Sequence, residues 1–214
     1  MSQYNIIAES AEYTVVSEYE HAVSTSEAYQ SEAELEKEFI RLLGEQGYEY
    51  LPIHTEADLV SNLRTSLEKL NDYHFTDNEW EHFFNECIAN KNDDIVAKTA
   101  RIQEDYIQVL KRDNGESRNI YLIDKKNIHN NFVQVINQYV EEGGNYDTRY
   151  DVTILVNGLP LVHIELKRRG VQLKEAFNQI NRYQRDSFWA GSGLYEYVQI
   201  FVISNGTNTK YYSN

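Results

Sequence analysis

Two patterns of apolar and polar residues run along this chain, and each predicts a different kind of element. Apolar residues recur three or four positions apart where helices are predicted, at about 31–46, 56–70, 77–89, 94–111 and 172–188. Short β-branched and apolar runs predict strands at 120–123 and 196–204, a hairpin within 149–170, a last strand in TKYYS and an N-terminal strand pair or arm within 4–17. Residues 131–140 fit the helical and the strand period alike, and we favour a strand. This order predicts an α/β (α+β) fold, in which a mixed β-sheet is flanked by helices on both sides.

The first helix has a clear start signal. Ser31 is followed three residues later by Glu34, the spacing of a capping box. The helices within about 56–112 stand between this helix and the hairpin, and we expect them to form a helical insertion. The 214 residues contain only two prolines and no obvious linker, which predicts a single domain over residues 1–214.

The run RYDVTILVNGLPLVHIELKRRG, residues 149–170, is the most informative segment. Its Asn157-Gly158 pair predicts a tight turn between two strands. A plain two-residue turn would place Asp151 opposite Ile164, on the other face from Glu165, because side chains alternate along a strand. We therefore predict a three-residue connection, or a bulge with the same effect, that pairs Asp151 with Glu165.

With that register, Asp151, Glu165 and Lys167 share one surface of the sheet. Two carboxylates can hold a hard divalent cation such as Mg²⁺, or Mn²⁺ in its place, through oxygen atoms. Such a cation activates water and neutralises charge that develops on a phosphate, and a lysine can position the water, deprotonate it or stabilise the phosphate. The three residues predict a metal-dependent phosphodiesterase site; a solvated Glu/Lys pair on a strand is the ordinary alternative.

Two helical pairs are candidate neighbours of this site. Gln179 and Tyr183 are four residues apart and share a helix face, from which they could hydrogen-bond a phosphate or order Lys167. Alone, that spacing more often belongs to an ordinary helix surface. Glu32 and Glu36 have the same spacing, and one of them could be a further metal ligand, although acidic charge near a helix start is favourable by itself.

His163 shares a strand face with Glu165, and we interpret it as a hydrogen-bonded sheet residue. The six histidines show no paired ligand spacing, and no Walker loop is present, so ATP binding by that route is not expected. The seventeen tyrosines are scattered and are interpreted as core and half-buried packing.

The net charge of −14 is unusual for a protein that binds DNA, and its distribution is uneven. Residues 1–144 carry 12 Lys/Arg against 28 Asp/Glu, whereas 145–190 carry seven against five, so the basic segment contains the candidate site. Tight DNA binding is therefore expected to need other domains or subunits. The single cysteine, Cys87, excludes an internal disulfide and fits a reducing cytoplasm, and no apolar run is long enough to span a membrane.

YDVTILVNGLPLVHIELK, the following EAFNQINRYQRDSF and the closing QIFVISNGTNTKYY closely resemble the N-terminal nuclease domain of the restriction and motor subunit of type I restriction endonucleases. The resemblance covers essentially the whole chain. It implies a PD-(D/E)xK nuclease fold of the RecB-like kind, with Asp151 and Glu165 as metal ligands and Lys167 as the catalytic lysine. Tyr150 precedes Asp151 where the superfamily name has proline, which matters little because that proline is not a ligand.

The same resemblance implies roles for the helical pairs and for partners. Gln179 and Tyr183 match the family's Q-x-x-x-Y element, and Glu32 matches the acidic residue of its first helix better than Glu36 does. In such enzymes two ATP-hydrolysing motor domains follow, which are absent from this chain, and the subunit works with a methyltransferase subunit and a specificity subunit. Cleavage of duplex DNA would then not be sequence-specific and would follow stalled translocation.

A second function remains open. The long acidic insertion at about 56–112 could make this chain a docking module, a nuclease-like fold that contacts the motor and methyltransferase parts without cutting DNA. A substitution at Lys167 separates the two functions, because docking would survive it.

Overall fold

The computed structural model describes residues 4–9, 15–20, 31–145 and 147–214, the first two ranges by their backbone alone. Within these ranges eight strands form one sheet in the order β1-β2-β10-β9-β8-β7-β6-β3, and β4 and β5 form a separate pair. The strands are β1 (Tyr4–Glu9), β2 (Val15–Glu20), β3 (Glu49–Tyr50), β4 (Ile107–Lys111), β5 (Ser117–Tyr121), β6 (Val133–Glu141), β7 (Thr148–Val156), β8 (Leu159–Leu166), β9 (Ile200–Ser204) and β10 (Asn208–Ser213). The helices are α1 (Glu32–Glu45), α2 (Glu56–Asn71), α3 (Asp77–Phe83), α4 (Ile95–Gln103) and α5 (Leu173–Asp186).

The large sheet is mixed, as the sequence predicts. Neighbouring strands run parallel at β8–β9 and β3–β6 and antiparallel at the other pairings. Val135 and Ile136 are adjacent on β6 and belong to different apolar clusters, so the clusters lie on opposite faces. Leu43 of α1 packs in one cluster, whereas α2 and α5 pack in the other. Helices therefore cover both faces.

Most predicted elements are confirmed, with shifted ends. Ser31 caps α1 and forms the predicted capping box with Glu34. The N-terminal strand pair is present as β1 and β2. The predicted 77–89 helix is α3 followed by one π-helical turn, Phe84–Ile88, and the segment before β9 is a short 3₁₀ helix, Leu194–Tyr197.

The predicted helix over 94–111 is wrong in its second half. α4 ends at Gln103, and Ile107–Lys111 is β4, which pairs antiparallel with β5. Gly115, with a φ of 85°, closes the connection between them. The apolar residues of 107–110 fit the helical and the strand period alike, and pairing with β5 makes this segment a strand. β5 itself begins three residues before the predicted 120–123 strand.

The helical insertion is part of the core. Leu59, Leu63 and Leu67 of α2 are fully buried in the larger cluster. Lys98 of α4 is also buried, and its Nζ donates to Glu196 at 2.6 Å and to a backbone carbonyl at 2.9 Å. A buried ammonium needs such partners, because unpaired charge in the interior is costly. None of the helices in the described ranges is both long and apolar enough to cross a membrane.

The β7–β8 turn lies directly on α2. Asn157 and Gly158 form a two-residue turn with φ values of 52° and 85°. A Cβ atom on Gly158 would stand 2.5 Å from the Leu63 Cα, which is closer than side chains approach backbone. Asn157 is also buried, and its side chain donates to the Leu122 carbonyl at 2.9 Å. The turn therefore depends on glycine both for its conformation and for its fit against the helix.

We expect Gly158→Ala to destabilise the chain by more than its backbone strain alone. Gly115→Ala is the matched control, because Gly115 has the same φ of 85° and nothing within 4 Å of its Cβ position. The control should cost about 1 kcal/mol, and Gly158→Ala roughly 2 kcal/mol more, since helix backbone has to move. Urea unfolding measures both, and equal losses would contradict the close approach.

Candidate active site

A bulge in the β7–β8 hairpin brings the two predicted carboxylates together. Val156 pairs with Leu159 across the two-residue turn, but the register then shifts, and Ile154 pairs with Val162. The pairing skips Leu161, whose carbonyl accepts instead from the backbone N–H of Gln199 at 2.9 Å. This is the predicted bulge, with a two-residue rather than a three-residue turn.

Asp151 consequently lies at the level of Glu165, one step beyond the Val152–Ile164 pair. Its Oδ2 accepts from the backbone N–H of Leu166 at 2.9 Å. Burial, together with the negative charge of Glu165, raises the pKa of Asp151 to about 7. Asp151 is therefore an acid that changes charge near neutral pH.

Glu165 is fully buried and forms an ion pair with Lys167, whose Nζ donates to the Glu165 Oε1 at 2.8 Å. Burial alone would raise the pKa of Glu165, but His163 and Lys167 outweigh it and hold that pKa below its usual value. Burial alone would lower the pKa of Lys167, but the carboxylates raise it above its usual value. Glu165 and Lys167 are thus both charged at neutral pH.

The α5 pair lies on the same side of the sheet as this group. The Gln179 Nε2 donates to the Tyr183 hydroxyl, which donates in turn to the Arg149 carbonyl at 3.2 Å. Burial and the charge of Glu165 raise the pKa of Tyr183, so it stays a neutral phenol. Tyr183 also lines a cavity of about 420 Å³ together with the exposed Arg149 and Arg182.

The two glutamates of α1 have different surroundings. The Glu32 Oε1 accepts from the backbone N–H of Arg168 at 3.2 Å, next to Lys167. Glu36 instead accepts from Asn137 at 2.6 Å and Gln138 at 2.5 Å, at the point where Gln138 has a φ of 51° and the β6–β7 pairing is interrupted. Glu32 is therefore near the site, whereas Glu36 links α1 to β6 through side-chain hydrogen bonds.

His163 differs from its sequence interpretation. It is fully buried, but neither ring nitrogen finds a hydrogen-bond partner among the described residues. Its Nε2 lies 3.7 Å from the Glu165 Oε2, beyond hydrogen-bond distance. The two-residue spacing of His163 and Glu165 on β8 is the sequence signal that the histidine lies beside the carboxylate. The tyrosines around it, including Tyr150 and Tyr195, are core residues as predicted.

The residues present fit a hard divalent cation in their chemistry. Asp151 and Glu165 lie at one level of the β7–β8 hairpin and supply carboxylate oxygens, the donors that such a cation prefers. No group of three or more His, Cys, Asp or Glu residues in that part is arranged to hold a metal. Two protein carboxylates would leave several positions of the cation to water or substrate, which is usual for Mg²⁺.

Comparison with known proteins identifies relatives over most of the chain. The family described as "Type I restriction enzyme R protein N terminus" matches residues 29–214. The chain is 47% identical over 209 residues to the type I restriction enzyme EcoprrI endonuclease subunit of Escherichia coli, covering 97% of this chain and 66% of that protein. It is 42% identical over 194 residues to the SauCOLORF180P endonuclease subunit of Staphylococcus aureus (strain COL), covering 87% of this chain and 20% of that protein.

A third relative, the SsaAORF53P endonuclease subunit of Staphylococcus saprophyticus, is 42% identical over 191 residues, with the same coverage of 87% and 20%. The chain thus spans about two thirds of the Escherichia coli relative and a fifth of the staphylococcal ones. All four elements of the candidate site, α1, β7, β8 and α5, lie within the matched range. Because the family match runs from residue 29 to residue 214, this chain belongs to the type I restriction enzyme R protein family and represents its N-terminal region.

Proposed function

We propose that this chain is a metal-dependent endonuclease domain of a type I restriction enzyme, with the PD-(D/E)xK fold, that hydrolyses phosphodiester bonds of duplex DNA. The observation that carries the proposal is the bulge that aligns Asp151 with Glu165 beside Lys167. A register without it would separate the two carboxylates. The relatives named above are all endonuclease subunits of type I restriction enzymes, which supports the same activity.

Asp151 and Glu165 would hold Mg²⁺ or Mn²⁺, with Glu32 a candidate for an additional, outer contact. When bound, the cation would supply the Lewis acid that makes water nucleophilic and offsets charge on the phosphate. Asp151 has to lose its proton to serve as a ligand, because its pKa is about 7. Glu165 is already ionised, so the two carboxylates need not charge at the same step.

Lys167 acts as a cation in this proposal. Its raised pKa keeps it protonated, which suits orienting water or stabilising the phosphate better than removing a proton. Gln179 and Tyr183 order the α5 side of the site, because their hydroxyl–amide contact continues to the Arg149 carbonyl of β7. Motor domains that use ATP, and the methyltransferase and specificity subunits, belong to the same proposal for the whole protein and would supply most of the DNA binding that this acidic chain lacks.

We expect Asp151→Ala, Glu165→Ala or Lys167→Ala to lower DNA cleavage by the complete enzyme at least roughly 100-fold, because each removes a charge that acts in the transition state. Lys37→Ala, an exposed α1 position, is the charge-matched control for Lys167 and should cleave normally. Cleavage of a circular duplex at fixed ATP measures this. Full restriction by any of the three variants would refute the assigned site.

The buried acid predicts a distinct pH dependence of stability. A raised pKa means that the unfolded Asp151 ionises first, so wild-type stability falls between about pH 4 and pH 7. Asp151→Asn cannot ionise and avoids this loss. We expect the variant to gain about 2–4 kcal/mol over the wild type by pH 8, with the gain shrinking toward pH 5. Urea unfolding from pH 5 to pH 8 tests this, and a gain that does not change with pH would contradict the raised pKa.

The α5 pair should matter less than the carboxylates. Tyr183→Phe removes only the hydroxyl, and Gln179→Ala removes its donor, so each should slow cleavage by about 3–30-fold through loosened positioning. Gln184→Ala on the same helix is the control, since Gln184 instead contacts Asn214. Single-turnover cleavage rates are the measurement. If the pair and the control behave alike, Gln179 and Tyr183 are ordinary helix residues.

One observation favours the second candidate, a docking module. Ile107, Val109 and Tyr121 expose apolar surface on one face of the β4–β5 hairpin, within the acidic insertion and its continuation. Exposed apolar surface of this kind is typical of contacts with another protein. The two functions are compatible, and the Lys167→Ala enzyme separates them: assembly with the other subunits should persist while cleavage is lost.

A further inference from the structure

His163 needs an explanation that packing does not provide. It is fully buried on β8, and the rings of Tyr150, Phe188, Tyr195 and Phe201 surround it. A buried polar group without a partner costs about 1–3 kcal/mol. An aliphatic or aromatic residue would fill the same space without that cost.

The imidazole faces a second polar atom that lacks a partner. The Glu165 Oε2 is buried and accepts no hydrogen bond from the described residues, and the His163 Nε2 lies 3.7 Å away. The other carboxylate oxygen accepts from Lys167 at 2.8 Å. The two oxygens of Glu165 therefore have different neighbours, the Lys167 ammonium on one side and a ring held by aromatic packing on the other.

Other roles for His163 fit less well. The opposing residue on β7, Thr153, places its hydroxyl 3.2 Å from the Tyr195 hydroxyl, so it already has a hydrogen-bond partner. The ring has no exposed surface, and aromatic side chains pack around it. A cation could not reach it without displacing the core. The carboxylate of Glu165 is the acceptor that the Nε2 can meet after a shift of less than 1 Å, from 3.7 Å to the usual hydrogen-bond range.

We propose that His163 is a positioning residue for Glu165, donating from its Nε2–H to the Glu165 Oε2 and thereby fixing the carboxylate in the orientation that binds the cation. The inference rests on the proposed function, because the orientation matters only if Glu165 is a ligand. It deepens that function: Lys167 can leave Glu165 for the DNA phosphate without freeing the carboxylate to rotate. A partner behind a metal ligand typically changes metal affinity 10–100-fold.

Two substitutions separate positioning from packing. His163→Phe fills the space among the aromatic rings and removes both unpaired nitrogens, so unfolding without metal should need as much urea as in the wild type, or more. Its Mn²⁺ affinity, measured by calorimetry with a short DNA duplex present, should fall roughly 10–100-fold. His163→Gln keeps an N–H donor near the Nε2 position and should recover most of that affinity. Asp151→Ala, which removes a proposed ligand, is the reference for the calorimetric signal of a protein without the metal site.

The tautomer gives a readout that does not depend on metal. We expect ¹⁵N spectra of histidine-labelled protein to show His163 protonated at Nε2, with a shift that changes in Glu165→Gln; a neutral ring whose only proton is on Nδ1 would overturn the inference. Unchanged Mn²⁺ affinity in His163→Phe, with a wild type that binds, would overturn the inference and leave the proposed function standing. A wild type that binds no Mn²⁺ would sink the proposed metal site, and the positioning role with it.

Discussion

The candidate site depends on the register of one hairpin. Side chains alternate between the faces of a sheet, so two carboxylates on neighbouring strands face each other in only half of the possible registers. The chain combines a compact two-residue turn with the required register by leaving Leu161 out of the β7–β8 pairing. The Leu161 carbonyl still accepts a backbone hydrogen bond, so the irregularity leaves no buried acceptor at that atom without a partner.

The second organising feature is that two neighbouring acids, Asp151 and Glu165, have pKa values shifted in opposite directions. Asp151 accepts one backbone hydrogen bond, and burial is the main influence on its pKa, so it holds its proton up to about neutral pH. Glu165 is more deeply buried but has Lys167 and His163 beside it, so it stays ionised. The buried group therefore carries little net charge, which limits the electrostatic cost of folding around it.

Much of this arrangement follows from short-range sequence signals. Capping of α1 at Ser31, the strand character of 133–141 and the turn at Asn157-Gly158 are local and are predicted correctly. The need for a bulge follows from chemistry, namely the requirement that Asp151 and Glu165 share a face. The errors arise where the choice of partner decides and the spacing of apolar residues does not: 107–111 is a strand because it pairs with the next strand, β5. The separation of Glu32 from Glu36 depends likewise on Asn137 and Gln138, about a hundred residues away.

The contact between Gly158 and Leu63 has a consequence for how this domain can vary. The turn that sets the hairpin register rests on the backbone of α2, the first helix of the insertion. The insertion therefore supports the hairpin of the candidate site and is not peripheral to it. Trimming it would uncover the turn, and relatives with insertions of different lengths would need to keep α2 against the hairpin, together with the buried Leu110 and Ile120 of the β4–β5 hairpin.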